Sequence, residues 1–423
     1  MRILFLHQNF PGQFKHLAPA LAVAGHEVVA LPMRRGGPSI WQGVRVLPYW
    51  PARGSAPGVH PWLTDLETKA VRAEACARHM MRLRDAGFVP DVVVAHPGWG
   101  EGLGVKTVWP ATRLGLYCEL YYQRTGADVG FDPEFAQADA LDAMRLRFKN
   151  LNHDLHFELA DAALAPTRWQ ASTFPEPFRQ RIHVVHDGID TAALQPRADA
   201  CFTLPDGRVL TRADEVVTFV ARNLEPYRGF HIFMRALPEL LHLRPRAQVL
   251  LVGGDGVSYG TPPADGRSWR AVLTEELRPR LSPADLARVH FLGQLPYPQF
   301  VAMLQVSSVH TYLTYPFVLS WSLLEAMSLG CAIVASDTAP VREVIIQGDT
   351  GRLVDFFDPT GLAQGVSSLL DSPAERQHLG HAARALVRAR YDLSAICLPA
   401  QMAWVAHLHL ENRRPGLPVS ERR

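Results

Sequence analysis

The stretch from residue 308 to 346 constrains the fold more than any other part of the chain. Val309 to Leu313 is a short run of β-forming residues, and Ser320 to Leu329 is apolar on most sides, as in a helix packed against a sheet. Gly330 follows as a stop signal, and Cys331 to Ala335 is typical of a second buried strand. The stretch therefore predicts a strand, a helix and another strand in direct succession.

One charged residue interrupts this apolar helix. Glu325 lies in its second turn, where an ionised carboxylate needs partners or a shifted pKa, because burying a lone charge is costly. Two interpretations are open, a structural ion pair or a cleft at which a ligand supplies the hydrogen bonds. The surrounding motifs favour the second.

Two further segments open with the same alternation. Near the N-terminus, strands at Arg2 to Leu6 and Glu27 to Leu31 flank a helix from Phe14 to Ala24. In the second half, a strand at Val216 to Ala221 leads through a loop into a helix from Phe230 to Leu243. Because 423 residues exceed what one core normally organises, we expect two Rossmann-like domains.

The run LLEAMSLGCAIVASD, followed by Glu343 and then by TGRLVDFFDP, resembles the nucleotide-binding core of the retaining glycosyltransferases of family four. That family has the GT-B fold, an α/β architecture of two Rossmann-like domains facing across a cleft, with a C-terminal helix crossing back to the first. The resemblance is specific mainly from Val216 to Pro359. It implies an acceptor-side domain in residues 1–190, a donor-binding domain in 191–392, and a crossing helix and tail in 393–423.

The resemblance implies donor-binding roles around the central helix. Glu325 is expected to accept hydrogen bonds from the ribose hydroxyls of a nucleotide sugar. The family usually has a second Glu upstream that contacts the donor sugar, but the corresponding residue here is Phe317. That role cannot carry over. The donor is therefore expected to have an apolar edge that packs on the ring, as a deoxy sugar does, or to be held by backbone amides from Leu319 to Trp321, including those of Ser320 and Trp321. Core packing of Phe317 under the helix, with the sugar held elsewhere, is the alternative.

Two arginines of the preceding loop are predicted to act in catalysis. Arg222 follows a strand, and Arg228 comes six residues later, directly before Gly229. In the resembling family this loop has Arg, then Lys at the same spacing, then Gly. The chemistry requires cations there, because a departing nucleoside diphosphate gains negative charge in the transition state.

Three more positions are assigned at the ends of predicted strands. His96 follows the apolar strand from Asp91 to Ala95, and by resemblance it reaches the donor sugar; a histidine bonded to local backbone is the alternative. The resemblance assigns two glycines to donor binding: Gly12, which lies beside a helix N-terminus, and Gly254, which belongs to a glycine cluster that resembles a donor-binding motif of the family. Ordinary tight turns are the alternative for both glycines.

The acceptor is assigned to a loop in the first domain. Glu119 and Tyr122 belong to a loop after the strand from Leu114 to Cys118, which crowds carboxylates and aromatic rings together. Aromatic faces cover the apolar side of a sugar while carboxylates accept its hydroxyls. A loop that packs on itself is equally consistent with the sequence.

The composition narrows the partners and the location. A net charge of +2 gives no reason to expect nucleic acid. Five cysteines without a C-x-x-C pair, and no recognisable signal segment or span of about 20 apolar residues, favour the cytoplasm. A basic helix from Leu66 to Ala86 leaves peripheral contact with the inner membrane face open, although a solvated face explains it better.

The predicted reaction is transfer of a hexosyl or deoxyhexosyl group from a nucleoside diphosphate sugar to a glycan or glycolipid acceptor, with retention of configuration, in polysaccharide biosynthesis. No cofactor is expected beyond the nucleotide sugar as co-substrate. No metal is expected either, because the chain has no Asp-x-Asp triplet and no cluster with zinc-ligand spacing. The alternative is a non-catalytic sugar-nucleotide-binding partner of another transferase, which Phe317 supports.

Overall fold

The computed structural model describes residues 1–136 and 140–410. These residues form two compact units. Unit 1 contains Met1–Thr125, Phe135–Gly188 and the described chain from Ser394 onward, and unit 2 contains Gly126–Glu134 and Ile189–Leu393.

Sixteen strands occur within the described ranges: β1 (Arg2–Leu6), β2 (Glu27–Leu31), β3 (Ile40–Trp41), β4 (Val44–Val46), β5 (Val92–Ala95), β6 (Arg113–Tyr117), β7 (Ala162–Ala165), β8 (Ile182–Val184), β9 (Cys201–Thr203), β10 (Val209–Thr211), β11 (Val216–Asn223), β12 (Gln248–Gly254), β13 (Val289–Gly293), β14 (Val309–Tyr312), β15 (Ala332–Ser336) and β16 (Arg352–Val354).

Fourteen α-helices occur in the same residues: α1 (Leu17–Val23), α2 (Pro61–Asp85), α3 (Val105–Val108), α4 (Asp142–Leu159), α5 (Arg168–Ser172), α6 (Phe230–Leu243), α7 (Trp269–Leu277), α8 (Pro283–Leu286), α9 (Tyr297–Val306), α10 (Trp321–Ser328), α11 (Ala339–Arg342), α12 (Pro359–Asp371), α13 (Pro373–Arg390) and α14 (Leu398–Leu410).

The sheet of unit 1 has the order β3-β4-β2-β1-β5-β6-β7-β8 and is parallel except for the short pairing of β3 with β4. Ile3 of β1 lies opposite Val28 on one side and Val92 on the other. Both faces of β1 are buried, since its residues after Arg2 are apolar without alternation. Buried side chains on the two faces form separate core clusters.

The sheet of unit 2 repeats this arrangement with the order β13-β12-β11-β14-β15-β16, all parallel. Val217 of β11 lies opposite Val249 and Val309. In both units the first strand lies between the second and a later one, so the strand order reverses beside it. Ligands of doubly wound sheets bind at the carboxyl ends of the strands where the order reverses. The predicted pair of Rossmann-like halves is therefore present.

The units differ from the predicted domains chiefly in one segment, while Ile189, Asp190 and Leu393 also belong to unit 2 and the described chain from Ser394 onward belongs to unit 1. Residues Gly126–Glu134, which follow β6 in the chain, belong to unit 2, although the predicted division assigned all residues up to 190 to the first domain. Asp128 accepts a hydrogen bond from the Tyr227 hydroxyl at 2.5 Å, and the Tyr315 hydroxyl donates to Asp132 at 2.7 Å. These contacts join residues far apart in sequence, which local patterns do not encode.

The last helix packs within unit 1. Trp404, Val405 and Leu408 of α14 are buried, and a Cβ added to Gly115 of β6 would lie 2.5 Å from the Trp404 ring. One helical stretch of the described chain, Leu393–Leu410, is long and apolar enough to cross a membrane by length and composition alone. Core helices pass the same test, and 33% of this stretch is buried within the described residues.

Candidate functional site

Arg228 is a buried cation at the carboxyl edge of the unit 2 sheet. Its Nη1 donates to Thr314 Oγ1 at 2.8 Å, to the Val318 carbonyl at 3.0 Å and to the Tyr312 hydroxyl at 3.4 Å. All of these acceptors are neutral, and no carboxylate of the described chain lies within ion-pair distance of Arg228. A charge that is desolvated yet not neutralised favours an anionic ligand.

Arg222 differs from Arg228 in its surroundings. It lies at the end of β11, where its side chain is exposed, and within residues 1–136 and 140–410 its guanidinium has no hydrogen-bond partner. Gly229 separates Arg228 from α6 with φ of +68°, and a Cβ there would lie 2.3 Å from that of Leu313. The sequence therefore needs glycine at this position to turn the chain into the helix.

Glu325 lies in α10 and is largely buried. The Tyr297 hydroxyl, from the first residue of α9, donates to Glu325 Oε1 at 2.9 Å. Tyr297 itself is 54% exposed, and burial together with the charge of Glu325 raises the pKa of its hydroxyl. The carboxylate is therefore held at one oxygen by a neutral donor at a position that solvent reaches.

Ser320 and Trp321 form the start of α10. Ser320 is the N-cap, and its hydroxyl accepts a hydrogen bond from the amide of Ser322 at 3.3 Å. The amide of Ser320 donates to the Tyr312 hydroxyl at 2.9 Å, the same hydroxyl that Arg228 approaches. The structure therefore brings Arg228 and the N-terminus of α10 together at the Tyr312 hydroxyl.

Phe317 lies in an aromatic cluster rather than in open space. It is 6% exposed, and its ring centroid is 5.4 Å from that of Tyr227 and 4.8 Å from that of Tyr259. The guanidinium carbon of Arg228 lies 5.6 Å from the Phe317 centroid. The ring therefore supplies an apolar and cation-binding face where the family usually has a carboxylate.

Glu225 anchors the loop that carries Tyr259. It is completely buried, and its carboxylate accepts hydrogen bonds from the amides of Ser258 at 3.0 Å, Tyr259 at 3.2 Å and Gly260 at 2.9 Å. Gly254 precedes this loop, and a Cβ on it would lie 2.5 Å from Asn223 Oδ1. Glycine is therefore required at position 254, because the Asn223 side chain approaches the backbone too closely for a Cβ.

Unit 1 has a second polar cluster at the carboxyl ends of β1, β5 and β6. His96 Nε2 lies 3.2 Å from Glu119 Oε2, and the Gln13 amide donates to Glu119 Oε1 at 2.5 Å. His7 Nε2 lies 2.6 Å from the Gln13 side-chain oxygen. The ring of Trp99 stacks on His96 with centroids 4.2 Å apart. His96 and Glu119, predicted for donor and acceptor respectively, therefore share one cluster.

The backbone fixes the tautomers of both histidines. The amide of Gly98 donates to His96 Nδ1 at 3.0 Å, and the amide of Asn9 donates to His7 Nδ1 at 3.0 Å. The neutral rings therefore carry their proton on Nε2 and donate it toward Glu119 and Gln13. Local backbone bonding, the alternative considered for His96, is present together with the contact to Glu119.

The charge states of the cluster follow from its contacts. Burial and the neighbouring His96 lower the pKa of His7 to about 3, so His7 is neutral at physiological pH. Burial acts to raise the pKa of Glu119, but hydrogen bonds from His96 and Gln13 outweigh it and lower the pKa overall. Glu119 is therefore an ionised, partly exposed acceptor, suited to a substrate hydroxyl.

Gly12 and Tyr122 have different places in unit 1. Gly12 has φ of +46°, and a Cβ on it would lie 2.2 Å from His7 Cε1, so glycine makes room for the cluster. Tyr122 is held through its backbone by the Asn150 side chain of α4, and the Lys149 ammonium lies 4.3 Å from its ring centroid. The contacts of Tyr122 thus connect it to α4.

A group with metal-ligand chemistry occurs in unit 2. Asp132, Glu134 and His231 offer three ligand atoms within 4.8 Å of one another. His231 Nε2 lies 2.9 Å from Asp132, and Arg235 contacts both oxygens of Glu134 at 2.6 and 2.8 Å. Because both carboxylates already have cationic or hydrogen-bonding partners, the group has the contacts of an ion-pair network.

Several candidate residues were not predicted from the sequence: His7, Gln13, Trp99, Glu225, Tyr259 and Tyr297. Some signals were present, since His7 and Gln13 flank Gly12, and Glu225 lies between the two predicted arginines. No local sequence signal marks Tyr259 or Tyr297, because their contacts with Phe317 and Glu325 join residues that are far apart in sequence.

The amino-acid sequence matches two glycosyltransferase families. Residues 24–194 match the glycosyl transferase family 4 group, and residues 207–386 match the glycosyl transferases group 1 family. Glycogen synthase of Mycobacterium tuberculosis (strain ATCC 25618 / H37Rv) is 24% identical over 100% of this chain and 99% of its own length. Phosphatidyl-myo-inositol mannosyltransferase of Mycolicibacterium smegmatis is 32% identical over 50% of this chain and 48% of its own length.

Solved structures give the same result for the fold. Sucrose-phosphate synthase from Thermosynechococcus elongatus has a TM-score of 0.73 at 18% identity, covering 97% of this chain and 100% of that one. Anabaena HepE in complex with UDP and glucose has a TM-score of 0.66 at 17% identity, covering 96% and 99%. The predicted GT-B fold is confirmed. With both halves matched by glycosyltransferase families, the chain belongs to the family-four-like glycosyltransferases and is a transferase enzyme.

Proposed function

We propose that this enzyme transfers a hexosyl or deoxyhexosyl group from a nucleoside diphosphate sugar to a glycan or glycolipid acceptor, with retention at the anomeric carbon. The observation that carries the proposal is Arg228, a buried cation beside the N-terminus of α10 whose hydrogen-bond partners in residues 1–136 and 140–410 are all neutral. Relatives support it, since a neighbouring solved structure, Anabaena HepE, binds UDP-glucose. Among sequence relatives are a glycogen synthase and a mannosyltransferase.

The residues of unit 2 have separable roles in this proposal. In the reaction the bond between the anomeric carbon and the diphosphate oxygen breaks, a bond to the acceptor oxygen forms, and the proton of the acceptor hydroxyl passes to the departing diphosphate. Arg228 and Arg222 stabilise the negative charge that the departing diphosphate gains. Glu325, held by Tyr297, accepts the ribose hydroxyls. Phe317 packs against an apolar edge of the donor sugar.

The cluster of unit 1 supports roles in sugar recognition. His96 donates through Nε2, and Glu119 accepts, so together they match a hydroxyl-rich substrate. Tyr122 contributes an aromatic ring to the acceptor side. We further propose that transfer requires no divalent metal, because arginines and the N-terminus of α10 supply the positive charge, and that the enzyme acts in polysaccharide biosynthesis in the cytoplasm.

The test is a panel of nucleotide sugars in which release of nucleoside diphosphate is measured with and without glycan acceptors. At least one donor is expected to give acceptor-dependent release, unchanged by EDTA. Loss of activity in EDTA and its recovery with Mg²⁺ or Mn²⁺ would remove the metal-independent proposal but leave the transfer.

A second candidate is a sugar-nucleotide-binding protein that does not transfer. Phe317 favours it, because the ring cannot accept the hydrogen bonds of donor-sugar hydroxyls. Tight donor binding without release of nucleoside diphosphate for any donor in the panel would establish this candidate over the first.

A further inference from the structure

Unit 1 contains a cavity that the donor and sugar residues described above do not line. Its volume is about 310 Å³, at the lower end of the range for small-molecule sites. Its walls combine two arginines with aromatic and small residues: Met33, Trp50, Pro51, Ala52, Arg53, Gly54, Thr68, Val71 and Arg72. Met33 follows β2 and Trp50 follows β4, so the cavity opens near the carboxyl ends of these strands.

The charge of the cavity comes from Arg72 of α2. Its Nη1 donates to the side-chain oxygen of Gln8 at 2.5 Å, and this neutral amide is the one partner of the guanidinium in residues 1–136 and 140–410. The charge of Arg72 acts to lower the pKa of Glu101, but burial outweighs it and raises that pKa. Glu101 is fully buried and accepts a hydrogen bond from the Tyr49 hydroxyl. Within residues 1–136 and 140–410, four of the five N–H donors of Arg72 therefore have no hydrogen-bond partner.

The second arginine of the wall is partly neutralised. Arg53 Nη1 donates to Glu67 at 2.8 Å and to the Gly54 carbonyl at 2.9 Å. Glu67 is outside the cavity wall, and no wall residue is a carboxylate. The wall itself therefore carries two cations and no carboxylate, while the acidic groups Glu67 and Glu101 lie behind it.

The rest of the wall suits a compact hydroxylic molecule. The Trp50 ring is half exposed, and the guanidinium of Arg35 lies 5.0 Å from its centroid. An aromatic wall beside cations matches a sugar or polyol that carries an anionic group. Gln8, which contacts Arg72, is adjacent in sequence to His7, which belongs to the Glu119 cluster. The backbone at residues 7 and 8 thus links the cavity to the residues proposed for sugar recognition.

We propose that this cavity binds a phosphoryl group of the acceptor, so that the acceptor is a phosphorylated sugar or polyol. Arg72 provides the fork that matches two phosphoryl oxygens, and Arg53 provides a second cation. The inference rests on the proposed function for the identity of the molecule as acceptor, but phosphate binding can be tested without any transfer assay.

The first experiment titrates inorganic phosphate into the full chain by calorimetry and locates it by hydrogen exchange of peptides covering residues 50–72. We expect protection of these peptides, and an affinity loss of about tenfold or more for R72Q, the size typical of charge-assisted hydrogen bonds. R78Q is the matched control, since Arg78 lies on the same helix but is 68% exposed and paired with Glu74. Unprotected peptides, or equal affinity of R72Q and R78Q, would overturn the proposal.

A second variant predicts a gain of binding, which misfolding cannot imitate. E67Q removes the carboxylate that competes for Arg53, while its side-chain oxygen can still accept from the Ala56 amide that Glu67 binds at 3.0 Å. Phosphate is expected to bind E67Q a few times more tightly than the wild type. Unchanged or weaker binding to E67Q would mean that Arg53 does not contact the anion and would contradict the two-arginine site.

The phosphoryl group has two chemical sources, which the third measurement separates. Cosedimentation with phosphatidylcholine vesicles containing phosphatidylinositol, lost in R72Q, would identify a lipid headgroup. Inhibition of the transfer reaction by glucose 6-phosphate but not by glucose, again lost in R72Q, would identify a soluble phosphate ester. If both effects were absent while donor-dependent release of nucleoside diphosphate persisted, the cavity proposal would fail and the proposed transferase function would stand.

Discussion

The two arginines of the β11 loop differ in burial, which separates their effects on binding and stability. Arg222 is exposed, whereas Arg228 holds Thr314 and the Val318 carbonyl in place. We predict that R222Q weakens binding of the product nucleoside diphosphate about tenfold with little change in melting temperature. R228Q is expected to weaken it at least as much and also to lower the free energy of unfolding by about 1–3 kcal/mol.

Calorimetric titration and thermal unfolding of both variants would check this. R246Q is a suitable control, since Arg246 is 85% exposed on the same unit. Wild-type affinity in both R222Q and R228Q would show that neither arginine contacts the diphosphate.

Phe317 offers a test of donor selectivity at a single ring. We predict that F317L leaves affinity for the nucleoside diphosphate within about twofold but narrows the difference in rate between donor sugars, because leucine is apolar but lacks the flat face. F317E is expected to lower diphosphate affinity as well, since the Arg228 guanidinium carbon is only 5.6 Å from the ring centroid and would be neutralised by a carboxylate.

The measurement is kcat/KM for each donor that the wild type accepts. An equal loss for every donor in F317L, with the fold intact, would assign Phe317 to packing alone and remove it from the sugar site.

At the scale of elements, the loop after β12 depends on one buried carboxylate. Glu225 accepts three backbone hydrogen bonds from residues 258–260. E225A would leave these amides without their acceptor, and we predict that it lowers the free energy of unfolding by roughly 3 kcal/mol or more. E225Q keeps one carbonyl oxygen and should cost less.

This loop places Tyr259 against Phe317, which is proposed to contact the donor sugar. We therefore expect the KM for the donor to rise in both Glu225 variants. Hydrogen exchange of residues 255–263 would report the loosened loop directly. E275A serves as the exposed control, since the Glu275 side chain is 67% exposed. Unchanged exchange in E225A would show that the loop does not depend on Glu225.

At the scale of the whole molecule, buried neutral histidines predict a difference in acid stability between the units. Burial lowers the pKa of His156 and of His186 to about 4 in unit 1, while in unit 2 His310 is lowered to about 3. Burial also lowers the pKa values of His7 and His153 in unit 1. Below pH 6.5, the pKa of histidine in the unfolded chain, the unfolded chain binds more protons than the folded one. The contribution of these histidines to stability is therefore fully present above that pH and is lost as the pH falls.

Each such histidine lowers the free energy of unfolding by about 1.4 kcal/mol for every pH unit below its pKa in the unfolded chain. We therefore predict that unit 1 opens before unit 2 when the pH is lowered from 7 to 5. Hydrogen exchange of peptides from each unit, corrected for the effect of pH on the intrinsic amide exchange rate, would show which unit opens first. H186Q should flatten the pH dependence, whereas H242Q, at an exposed position, should not. Simultaneous opening of both units would contradict the prediction.

The sequence by itself determined the pair of parallel sheets and their order of elements. Continuous apolar runs such as β1 and β5 are typical of strands covered on both faces. The family resemblance, and not the spacing alone, predicted a ligand loop with Arg222, Arg228 and Gly229 after β11. These features are local, because strand and helix patterns depend on neighbouring residues. Glu325 within an apolar helix was readable for the same reason.

Only the tertiary structure decided which side chains meet. Gln13 contacts Glu119 across 106 positions of sequence, and Tyr227 contacts Asp128 across 99. It also decided that Arg228 is buried under Phe317 while Arg222 is exposed, although both carry the same charge in one loop. Such contacts depend on how distant strands and loops pack, and no pattern of adjacent residues encodes that packing.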